Sequence, residues 1–382
     1  MVTPTIRLAI VQHGDYRDAL DIMERDAPEP YFGMKDSVGL IERFLEGTTY
    51  CLISVDAPNY RLQRPGGEVI GLHRPNWPKL SKLHWSWKVW REVRRFRPTH
   101  LLMRTGGLLA FPTLQWCNRH GVNSLVVMAG YMKPLGTLDR HLHTWIVNAL
   151  NHSNVKYVTN HRRPATLSTI EAGVHPDKVL AWDLAGLPRP EDRPTKELDA
   201  NGPIRIFFAG TLKEGKGIGD LVDSLLILQE RGRQVVLTVC GDGEMRAELQ
   251  IRSQRLEPGS VHFLGRVGND EVQRHMRESN VVCVPSRSNS AEGLPFTVTE
   301  AFASRTPLIA TDHPAMTKLL IDEEGLLFVP SANPSAMADA IERVAKDPEL
   351  YRRLSESSVT AFHRLASDIT FDALLWKWRE QW

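Results

Sequence analysis

The sequence predicts an α/β protein built from two Rossmann-like, doubly wound domains. Short apolar runs alternate with amphipathic segments of helical length over most of the 382 residues, and this alternation is typical of parallel sheets covered by helices. A chain of this length is too long for one ordinary domain and fits two. The alternation stops at residues 188–203, where proline and charged residues predominate, so we place an interdomain linker there.

The N-terminal domain is predicted to comprise residues 1–187. Its strands are the short apolar runs Ile6–Val11, Tyr50–Val55, Val69–Leu72, His100–Met103, Ser124–Met128 and Lys156–Thr159. The helices between them include Asp36–Leu45, Lys79–Arg95 and Leu138–Asn151. We expect a long loop between the first strand and Asp36, and this loop contains Gly14 and Gly33.

The C-terminal domain is predicted to comprise residues 204–366 and repeats the alternation. Its strands are expected at Ile204–Phe208, Val235–Cys240, His262–Leu264, Val281–Val284 and Leu308–Ala310. Its helices are expected at Ile218–Arg231, Glu244–Arg252, Asp270–Glu278 and Phe296–Ala303, with others after Pro334. Residues 367–382 end in an amphipathic helix, which we expect to cross back to the N-terminal domain and to pack at the domain junction.

The composition, with 42% hydrophobic and 24% charged residues, is typical of a soluble globular protein. We recognise neither a run of about 18 apolar residues nor a secretion signal, so we expect a cytoplasmic protein. The four cysteines are far apart and lack zinc-ligand spacing, which predicts reduced, mostly buried thiols.

Charge is distributed unequally along the chain. The first 190 residues carry 24 Lys and Arg against 16 Asp and Glu, whereas the remainder carries 23 against 29. This asymmetry suggests an anionic partner for the N-terminal half, although such an excess is commonly only a solvated surface. We expect no nucleic-acid partner.

The strongest functional signal is the segment from Val284 to Ala310, which contains Glu292-Gly-Leu-Pro-Phe-Thr-Val-Thr-Glu300. A strand ends at Val284, a loop carries Glu292, and a helix begins near Pro295, where free backbone amides can accept an anion. Glu300 falls in the second turn of that helix, so both carboxylates can face one cavity. Each carboxylate can accept hydrogen bonds from sugar hydroxyls.

A second signal is the turn Gly210-Thr211-Leu-Lys213-Glu-Gly-Lys216-Gly217, which follows a predicted strand and precedes a helix. Backbone amides and a lysine in such a turn can approach a diphosphate. Two further turns, Val239-Cys-Gly-Asp-Gly243 and Phe263-Leu-Gly-Arg-Val267, each end a predicted strand, although glycine after a strand is by itself mostly turn chemistry.

These motifs together resemble family 4 (group 1) retaining glycosyltransferases of the GT-B fold, over about residues 204–345. The resemblance implies two facing Rossmann-like domains. It also implies transfer of a sugar from a nucleotide-diphosphate sugar to a glycan or glycolipid acceptor, with retention at the anomeric carbon, in the synthesis of cell-surface glycans, polysaccharides or glycolipids. The family usually works without a bound metal and no Asp-x-Asp motif is present, so we expect neither a metal ion nor a cofactor.

The resemblance also implies roles for individual residues. Glu292 and Lys216 correspond to catalytic residues that contact the transferred sugar and the diphosphate, and Glu300 corresponds to the residue that holds the ribose diol. The other donor-binding residues are expected to be Gly210, Thr211, Gly265, Arg266, Val267, Gly293, Leu294, Pro295 and Phe296. Gly14 and Gly33 correspond to a pair of glycines that contacts phosphate or acceptor.

Three departures from the family pattern leave alternatives open. Thr211 stands where the family has an arginine, and a turn around His313 replaces a glycine-rich one. A histidine expected after the strand that ends at Met128 is absent; the histidines nearby in sequence are His141, His143 and His161. The alternatives are a catalytically retired module that binds a nucleotide sugar and a nucleotide-sugar epimerase.

Residues 77–97 form a basic, aromatic stretch. Between Arg61 and Arg104 there are 11 Lys and Arg against two Glu. Leu80, Leu83, Trp87 and Trp90 have helical 3-4-3 spacing, which predicts a stripe that faces the core. The alternative is peripheral contact of this stretch with an anionic membrane at its inner face.

Overall fold

The computed structural model of the protein describes residues 6–27, 33–73, 80–105, 111–128, 130, 132, 140–186, 188–288, 294–367 and 369–382. The chain forms two units. Met1–Ala185 with Ser367–Trp382 form the first, called unit 1, and Gly186–Ala366 form the second, called unit 2. Each unit has its own sheet, with helices packed on both faces.

Unit 1 contains one eight-stranded sheet. Its strands are β1 (Arg7–His13), β2 (Thr49–Val55), β3 (Tyr60–Arg64), β4 (Gly67–Leu72), β5 (His100–Arg104), β6 (Asn123–Met128), β7 (Val155–His161) and β8 (Val179–Trp182). Their order in the sheet is β3-β4-β2-β1-β5-β6-β7-β8. Neighbours run parallel except in the antiparallel hairpin formed by β3 and β4.

The helices of unit 1 cover the two faces of this sheet. They are α1 (Tyr16–Glu24), α2 (Met34–Leu45), α3 (Leu80–Phe96), α4 (Phe111–Arg119), α5 (Arg140–Leu150) and α6 (Arg162–Glu171). Side chains alternate along β1, so Leu8 and Ile10 join the core under α1 and α2, whereas Ala9 and Val11 join the core under α3, α4 and α5.

Unit 2 contains a six-stranded sheet in which all neighbouring strands are parallel. Its strands are β9 (Ile204–Ala209), β10 (Val235–Cys240), β11 (Val261–Gly265), β12 (Val281–Val284), β13 (Leu308–Thr311) and β14 (Leu326–Val329). Its helices are α7 (Ile218–Glu230), α8 (Arg246–Ser253), α9 (Asn269–Glu278), α10 (Phe296–Ala303), α11 (Pro314–Thr317), α12 (Pro334–Lys346) and α13 (Pro348–Leu365). The sheet order is β11-β10-β9-β12-β13-β14.

The last helix, α14 (Phe371–Arg379), returns to unit 1. Phe371, Leu374 and Trp378 are buried in the same core as α1 and α2. The indole Nε1 of Trp378 also donates to Oδ1 of Asn123 at 2.8 Å. The expectation that this helix crosses back to the N-terminal half is therefore confirmed.

The segment predicted as a linker, residues 188–203, packs in unit 2. The ammonium of Lys196 is surrounded by the carbonyl oxygens of Arg277 (2.7 Å) and Ser279 (2.6 Å) and by Oγ1 of Thr306 (3.1 Å). Its backbone N–H donates to Oγ of Ser355 at 2.8 Å. These contacts hold the segment against two helices of unit 2 and the turn before β13.

Two predictions about unit 1 were wrong. The supposed long loop after β1 contains α1, because Asp15 caps its start by accepting from the N–H groups of Arg17 (3.1 Å) and Asp18 (3.4 Å). The stripe on α3 that was expected to face the core is not buried at Trp87, whose side chain is 47% exposed. Trp85 and Val89 are the residues that face the core at helical spacing.

The predicted burial of the thiols is confirmed, since Cys51, Cys117, Cys240 and Cys283 are free and buried. Burial raises the pKa of the Cys51 thiol to about 12, and nearby Glu68 and Glu92 act in the same direction. Within the described part of the chain, no helix combines the length and the apolar character that a membrane crossing requires.

Candidate functional site

The strand order of unit 2 marks one place where a ligand is expected. From the central strand β9, the chain proceeds to β10 on one side, and β12 lies on the other side. Open α/β sheets bind ligands outside the carboxyl ends of their strands at such a reversal. Gly210 and Pro285 directly follow β9 and β12, so both lie at this point.

Three glycine turns lie side by side at this edge of the sheet. The N–H of Gly210 donates to the carbonyl of Cys240 at 3.0 Å, and the N–H of Gly241 donates to the carbonyl of Gly265 at 2.7 Å. A Cβ atom on Gly241 would come within 1.9 Å of the carbonyl oxygen of Gly210, so only glycine fits there. The turns after β9, β10 and β11 thus form a continuous floor of backbone.

The turn that carries Lys216 is fixed to the end of β12. A Cβ atom on Gly217 would lie 1.9 Å from the carbonyl oxygen of Pro285, and the N–H of Arg287 donates to the carbonyl of Gly215 at 2.9 Å. Lys216 extends over the floor, because its Cε lies 4.0 Å from the position of a Cβ on Gly210. The structure therefore brings Lys216 and Gly210 together at this edge of the sheet.

The start of α10 lies at the same edge. Pro295 precedes the first residue of the helix in an extended conformation, and Oγ1 of Thr297 donates to the carbonyl of Ala209 at 3.2 Å. Glu300, one turn further, is 8% exposed, whereas Phe296 at the start is 41% exposed. The expected donor residues Glu292 and Gly293 lie outside the described residues.

Other predicted donor residues lie at the border of this site. Leu294 is buried in the core that α10 shares with β12 and β13, and Val267 packs against the same core. Arg266 and Thr211 are exposed, so Thr211 has a neutral, solvated side chain where the family has an arginine. His313 caps α11 by accepting from the N–H of Ala315 at 3.1 Å.

Unit 1 has a cavity at the corresponding reversal of its own sheet, next to the carboxyl ends of β1 and β5. Its volume is about 220 Å³. Its lining residues are Gln12, His13, Gly14, Asp15, Tyr16, Asp18, Ala19, Ile22, Met34, Ser37, Val38 and Arg104. Gly14, one of the two predicted glycines, therefore lines the cavity.

Gly33 lies elsewhere in unit 1. It precedes α2 in a left-handed conformation, with φ of +74°, and a Cβ there would lie 3.2 Å from Cδ1 of Leu184. Helix α1 separates Gly33 from Gly14, so the two glycines do not share one loop. Gly33 is not among the residues that line the cavity.

Arg104, at the end of β5, gives the cavity a fixed cation. Its Nη1 donates to Oε1 of Gln12 at 3.0 Å and its Nη2 donates to Oγ of Ser37 at 2.9 Å.

Burial raises the pKa of Tyr16 well above its ordinary value, and the Glu42 carboxylate raises it further. The phenol therefore stays protonated and donates to Oε1 of Glu42 at 2.9 Å.

Sequence reasoning missed His13, Asp56 and Thr105, which meet beside this cavity. Nδ1 of His13 lies 3.1 Å from Oδ2 of Asp56, and its Nε2 lies 2.7 Å from Oγ1 of Thr105. Each of the three residues lies at the carboxyl end of a different strand. The sequence does show that each of these polar residues ends or follows an apolar strand. It does not show that the three meet, because that depends on the order of β2, β1 and β5 in the sheet.

The histidines considered from the sequence do not line the cavity. His143 contacts the carbonyl oxygen of Ala172 at 2.9 Å through its Nε2. His161 lies 3.5 Å from a carboxylate oxygen of Asp183, and His141 is exposed on α5. The histidine that lines the cavity is His13.

Comparison with known proteins links the unit 2 site to a family. A family model described as glycosyl transferases group 1 matches residues 189–359. Alpha-D-kanosaminyltransferase of Streptomyces kanamyceticus is 29% identical over 154 residues, which are 40% of this chain and 39% of that protein. Phosphatidyl-myo-inositol mannosyltransferase of Mycobacterium leprae is 31% identical over 199 residues, 51% of this chain and 48% of that protein. The chain thus spans less than half the length of these curated relatives.

Solved structures match over almost the whole chain. The structure of Anabaena HepE in complex with UDP covers 99% of this chain and 98% of its own, with a TM-score of 0.61 and 15% identity. Sucrose-phosphate synthase from Thermosynechococcus elongatus covers 98% of both chains, with a TM-score of 0.64 and 16% identity. These matches establish that both sheets follow the GT-B fold. Residues 189–359 of the chain are thus similar to the group 1 glycosyl transferases, the family that the sequence motifs also resemble.

Proposed function

We propose that the protein is a retaining glycosyltransferase that moves a sugar from a nucleotide-diphosphate sugar to an acceptor hydroxyl. The observation that carries this proposal is the convergence of three glycine turns, Lys216 and the start of α10 at one edge of the unit 2 sheet. This edge lies within the segment that matches the group 1 glycosyl transferases. Anabaena HepE, which is similar in fold, was crystallised with UDP and with UDP-glucose.

In the proposed mechanism, the nucleotide diphosphate leaves toward Lys216 and the first amides of α10. A cation and free N–H groups stabilise the negative charge that develops on the leaving group. Backbone amides of the floor formed by Gly210, Gly241 and Gly265 approach the nucleotide. Glu300 holds the ribose diol, and Glu292 orients the transferred sugar.

We place the acceptor in unit 1 and assign the enzyme to polysaccharide or glycolipid synthesis. Two relatives support this class of acceptor: an amylovoran biosynthesis glycosyltransferase of Erwinia amylovora and the mycobacterial phosphatidyl-myo-inositol mannosyltransferase. Gly14, one of the two glycines assigned to phosphate or acceptor contact, lines the unit 1 cavity, and this supports the cavity as the place where the acceptor binds.

We also propose that the helices α3, α4 and α5 contact an anionic membrane from its inner face. Trp87 on α3 and Trp145 on α5 are 47% and 53% exposed. Exposed Arg91 and Arg94 lie over the rings of Trp87 and Trp90, at 4.9 and 5.2 Å from the ring centroids. The single carboxylate of the three helices, Glu92, is buried, so nothing acidic on them opposes an anionic surface.

The proposed function is tested with a panel of nucleotide-diphosphate sugars. UDP-glucose, UDP-N-acetylglucosamine and GDP-mannose are added in turn, and unfolding temperature and release of nucleoside diphosphate are measured. One donor is expected to raise the unfolding temperature, since it binds only the folded state, and to release its nucleotide. The Glu292→Ala variant is expected to bind the same donor but to liberate nucleoside diphosphate from it far more slowly. A fully active Glu292→Ala protein, or a panel without any binder, contradicts the proposal.

A retired binding module remains the second candidate, favoured by the neutral Thr211 where the family has an arginine. Such a module would bind a nucleotide sugar without releasing the nucleotide above background. An epimerase would instead change the sugar of the donor in the absence of any acceptor. The panel separates the three, because nuclear magnetic resonance of the donor sugar reports its stereochemistry while nucleotide release is measured.

A further inference from the structure

An arginine and an aspartate lie side by side at the end of the unit 2 backbone floor that is farther from Lys216. Nη1 of Arg246, the first residue of α8, lies 3.4 Å from the position that a Cβ atom would take on Gly265. The same Nη1 lies 3.6 Å from Oδ1 of Asp242, in the turn after β10. This contact is an ion pair but is too long for a hydrogen bond. Both groups therefore keep hydrogen-bonding capacity for a ligand.

The aspartate of this pair is fixed in place. Oδ1 of Asp242 accepts from the N–H of Gly243 at 2.9 Å, which orients the carboxylate. The carbonyl of Asp242 accepts from the N–H of Leu212 at 3.1 Å, so its backbone is held against the turn after β9. The side chains of Asp242 and Arg246 are 45% and 34% exposed. A ligand that lies on the floor can therefore contact an oriented acceptor and a cation.

The distance from Lys216 suits the base of a nucleotide. Lys216 lies over Gly210 at the end of β9, whereas Gly265 ends β11, two strands away in the sheet. Neighbouring strands are about 4.8 Å apart, so the two strand ends are separated by about 10 Å. In a nucleoside diphosphate, the base lies at a distance of this order from the phosphates. With the diphosphate at Lys216, the base falls beside Arg246 and Asp242.

A guanidinium beside a carboxylate distinguishes nucleobases by the order of donor and acceptor along their edge. The guanidinium only donates hydrogen bonds, and the carboxylate only accepts them. Uracil and guanine present a carbonyl oxygen next to a ring N–H, so both atoms find a partner in this pair. Cytosine and adenine present an amino group next to an unprotonated ring nitrogen. Their order is reversed, so donor would face donor and acceptor would face acceptor.

We propose that Arg246 and Asp242 recognise the base of the donor nucleotide. Arg246 donates to the carbonyl oxygen of the base, and Asp242 accepts the hydrogen of the adjacent ring N–H. The pair thereby selects uracil or guanine against cytosine and adenine. This inference rests on the donor function proposed above and adds the class of nucleotide to it.

The test compares nucleotides that differ at this edge of the base. UDP and CDP have the same ribose, phosphates and ring size, and they differ only at C4 and N3 of the base. GDP and ADP are the corresponding purines. Calorimetric titration of the full chain measures the four dissociation constants. In whichever ring class binds, the base with the carbonyl group is expected to bind roughly 10-fold or more tightly, since its partner loses two hydrogen bonds.

Two variants separate base recognition from a merely structural role. In Asp242→Asn, the N–H of Gly243 holds the amide oxygen, so the amide NH₂ faces the ligand and can donate to N3 of cytosine. This variant is expected to bind UDP more weakly and CDP more tightly than the wild-type protein, so that the ratio of the two affinities falls to about one. Arg246→Gln, whose amide can accept as well as donate, is also expected to lower the ratio. A structural defect would weaken both nucleotides together.

The matched control is a second ion pair of the same helix. Nη1 of Arg252 on α8 lies 3.2 Å from Oδ2 of Asp223 on α7, so this pair faces the neighbouring helix. Asp223→Asn and Arg252→Gln are expected to leave the ratio of UDP to CDP affinity unchanged.

Three results overturn the proposal: the amino base binds the wild-type protein as tightly as the carbonyl base, Asp242→Asn leaves the ratio unchanged, or the control variants change it equally. Binding of all four nucleotides without discrimination refutes this inference alone, and the donor function stands. If none of the four binds, the donor function itself fails, and the inference fails with it.

Discussion

The α-carbon of Gly241 lies against the carbonyl oxygen of Gly210, so that a Cβ atom on Gly241 would approach this oxygen to 1.9 Å. The two turns belong to adjacent strands, and Gly210 also donates to the carbonyl of Cys240 at 3.0 Å. The backbone floor of the unit 2 site therefore depends on the absence of a single side chain.

Gly241→Ala is expected to displace the Gly210 turn and to weaken nucleotide binding. The clash is with backbone, which cannot rotate away, and the φ of +135° is unfavourable for alanine. We expect a loss of about 1–3 kcal/mol in the stability of β9 and β10. Hydrogen exchange of these strands and calorimetric titration with UDP measure both effects.

Gly259→Ala is the matched control for this variant. Gly259 has φ of +83° in the same unit, but a Cβ atom there would meet nothing within 4 Å. The control thus has the backbone strain without the clash, and it is expected to leave UDP affinity unchanged. Equal effects of the two variants on UDP binding would contradict the role given to the Gly210–Gly241 contact.

Lys216→Ala is expected to reduce turnover by about 100-fold or more, the usual effect of removing a group that stabilises the charge of a leaving group. The fold should survive, because Gly217 and Pro285 hold the turn by backbone packing. Lys213→Ala is the comparison, since Lys213 is the other lysine of the turn and is exposed. Nucleotide release is measured for both. A larger loss in Lys213→Ala would transfer the diphosphate role to that residue.

The strands and helices around the unit 2 site could be predicted because parallel strands that are buried on both faces appear as short apolar runs. The contact of Gly217 with Pro285 could not be predicted, because it joins segments that are far apart in the chain. In unit 1, the charged hairpin strand Tyr60–Arg64 was missed since it lies at the sheet edge with alternating exposed side chains. The Asp56–His13 pair depends on strand order, which no local pattern contains.

Membrane binding of α3 is expected to require its exposed arginines. Arg91→Gln with Arg94→Gln removes two charges, each worth about 1 kcal/mol at an anionic surface, so partitioning should fall roughly 30-fold. Flotation with phosphatidylserine-containing vesicles measures this partitioning. Pure phosphatidylcholine vesicles should not bind the wild-type protein. Arg352→Gln with Arg353→Gln, on the exposed surface of α13, is the matched control. If both double variants float like the wild-type protein, the membrane proposal is wrong.

Asp183→Ala is expected to destabilise unit 1 by about 3–5 kcal/mol, because it removes a buried carboxylate from a buried cation. Oδ1 of Asp183 accepts from Nε of Arg162 at 2.8 Å, and Oδ2 accepts from the N–H of Ser367 at 2.9 Å. Asp183→Asn keeps two acceptor lone pairs and should lose less. All ten tryptophans lie in unit 1, so tryptophan fluorescence during urea unfolding reports this unit alone. If Asp183→Ala lowers the free energy of unfolding by less than about 1 kcal/mol, Asp183 does not stabilise unit 1 in this way.

His100 is expected to make unit 1 less stable in acid. Burial lowers the pKa of His100 to about 4, and its ring packs on Trp382 with 4.5 Å between the centroids. Between pH 6.5 and 4 the His100 imidazole is protonated in the unfolded chain but stays neutral in the folded protein. The stability due to the neutral ring is therefore complete above pH 6.5 and is lost as the pH falls toward 4, by about 3 kcal/mol in total.

His100→Phe removes this titration while keeping a ring against Trp382. Carboxylates that titrate in the same range contribute equally to both proteins, so the difference between their unfolding free energies isolates His100. Urea unfolding followed by tryptophan fluorescence at half-unit steps from pH 7 to 4 is expected to show the wild-type protein losing about 3 kcal/mol more than the variant. Parallel curves would mean that the buried imidazole is protonated in the folded state.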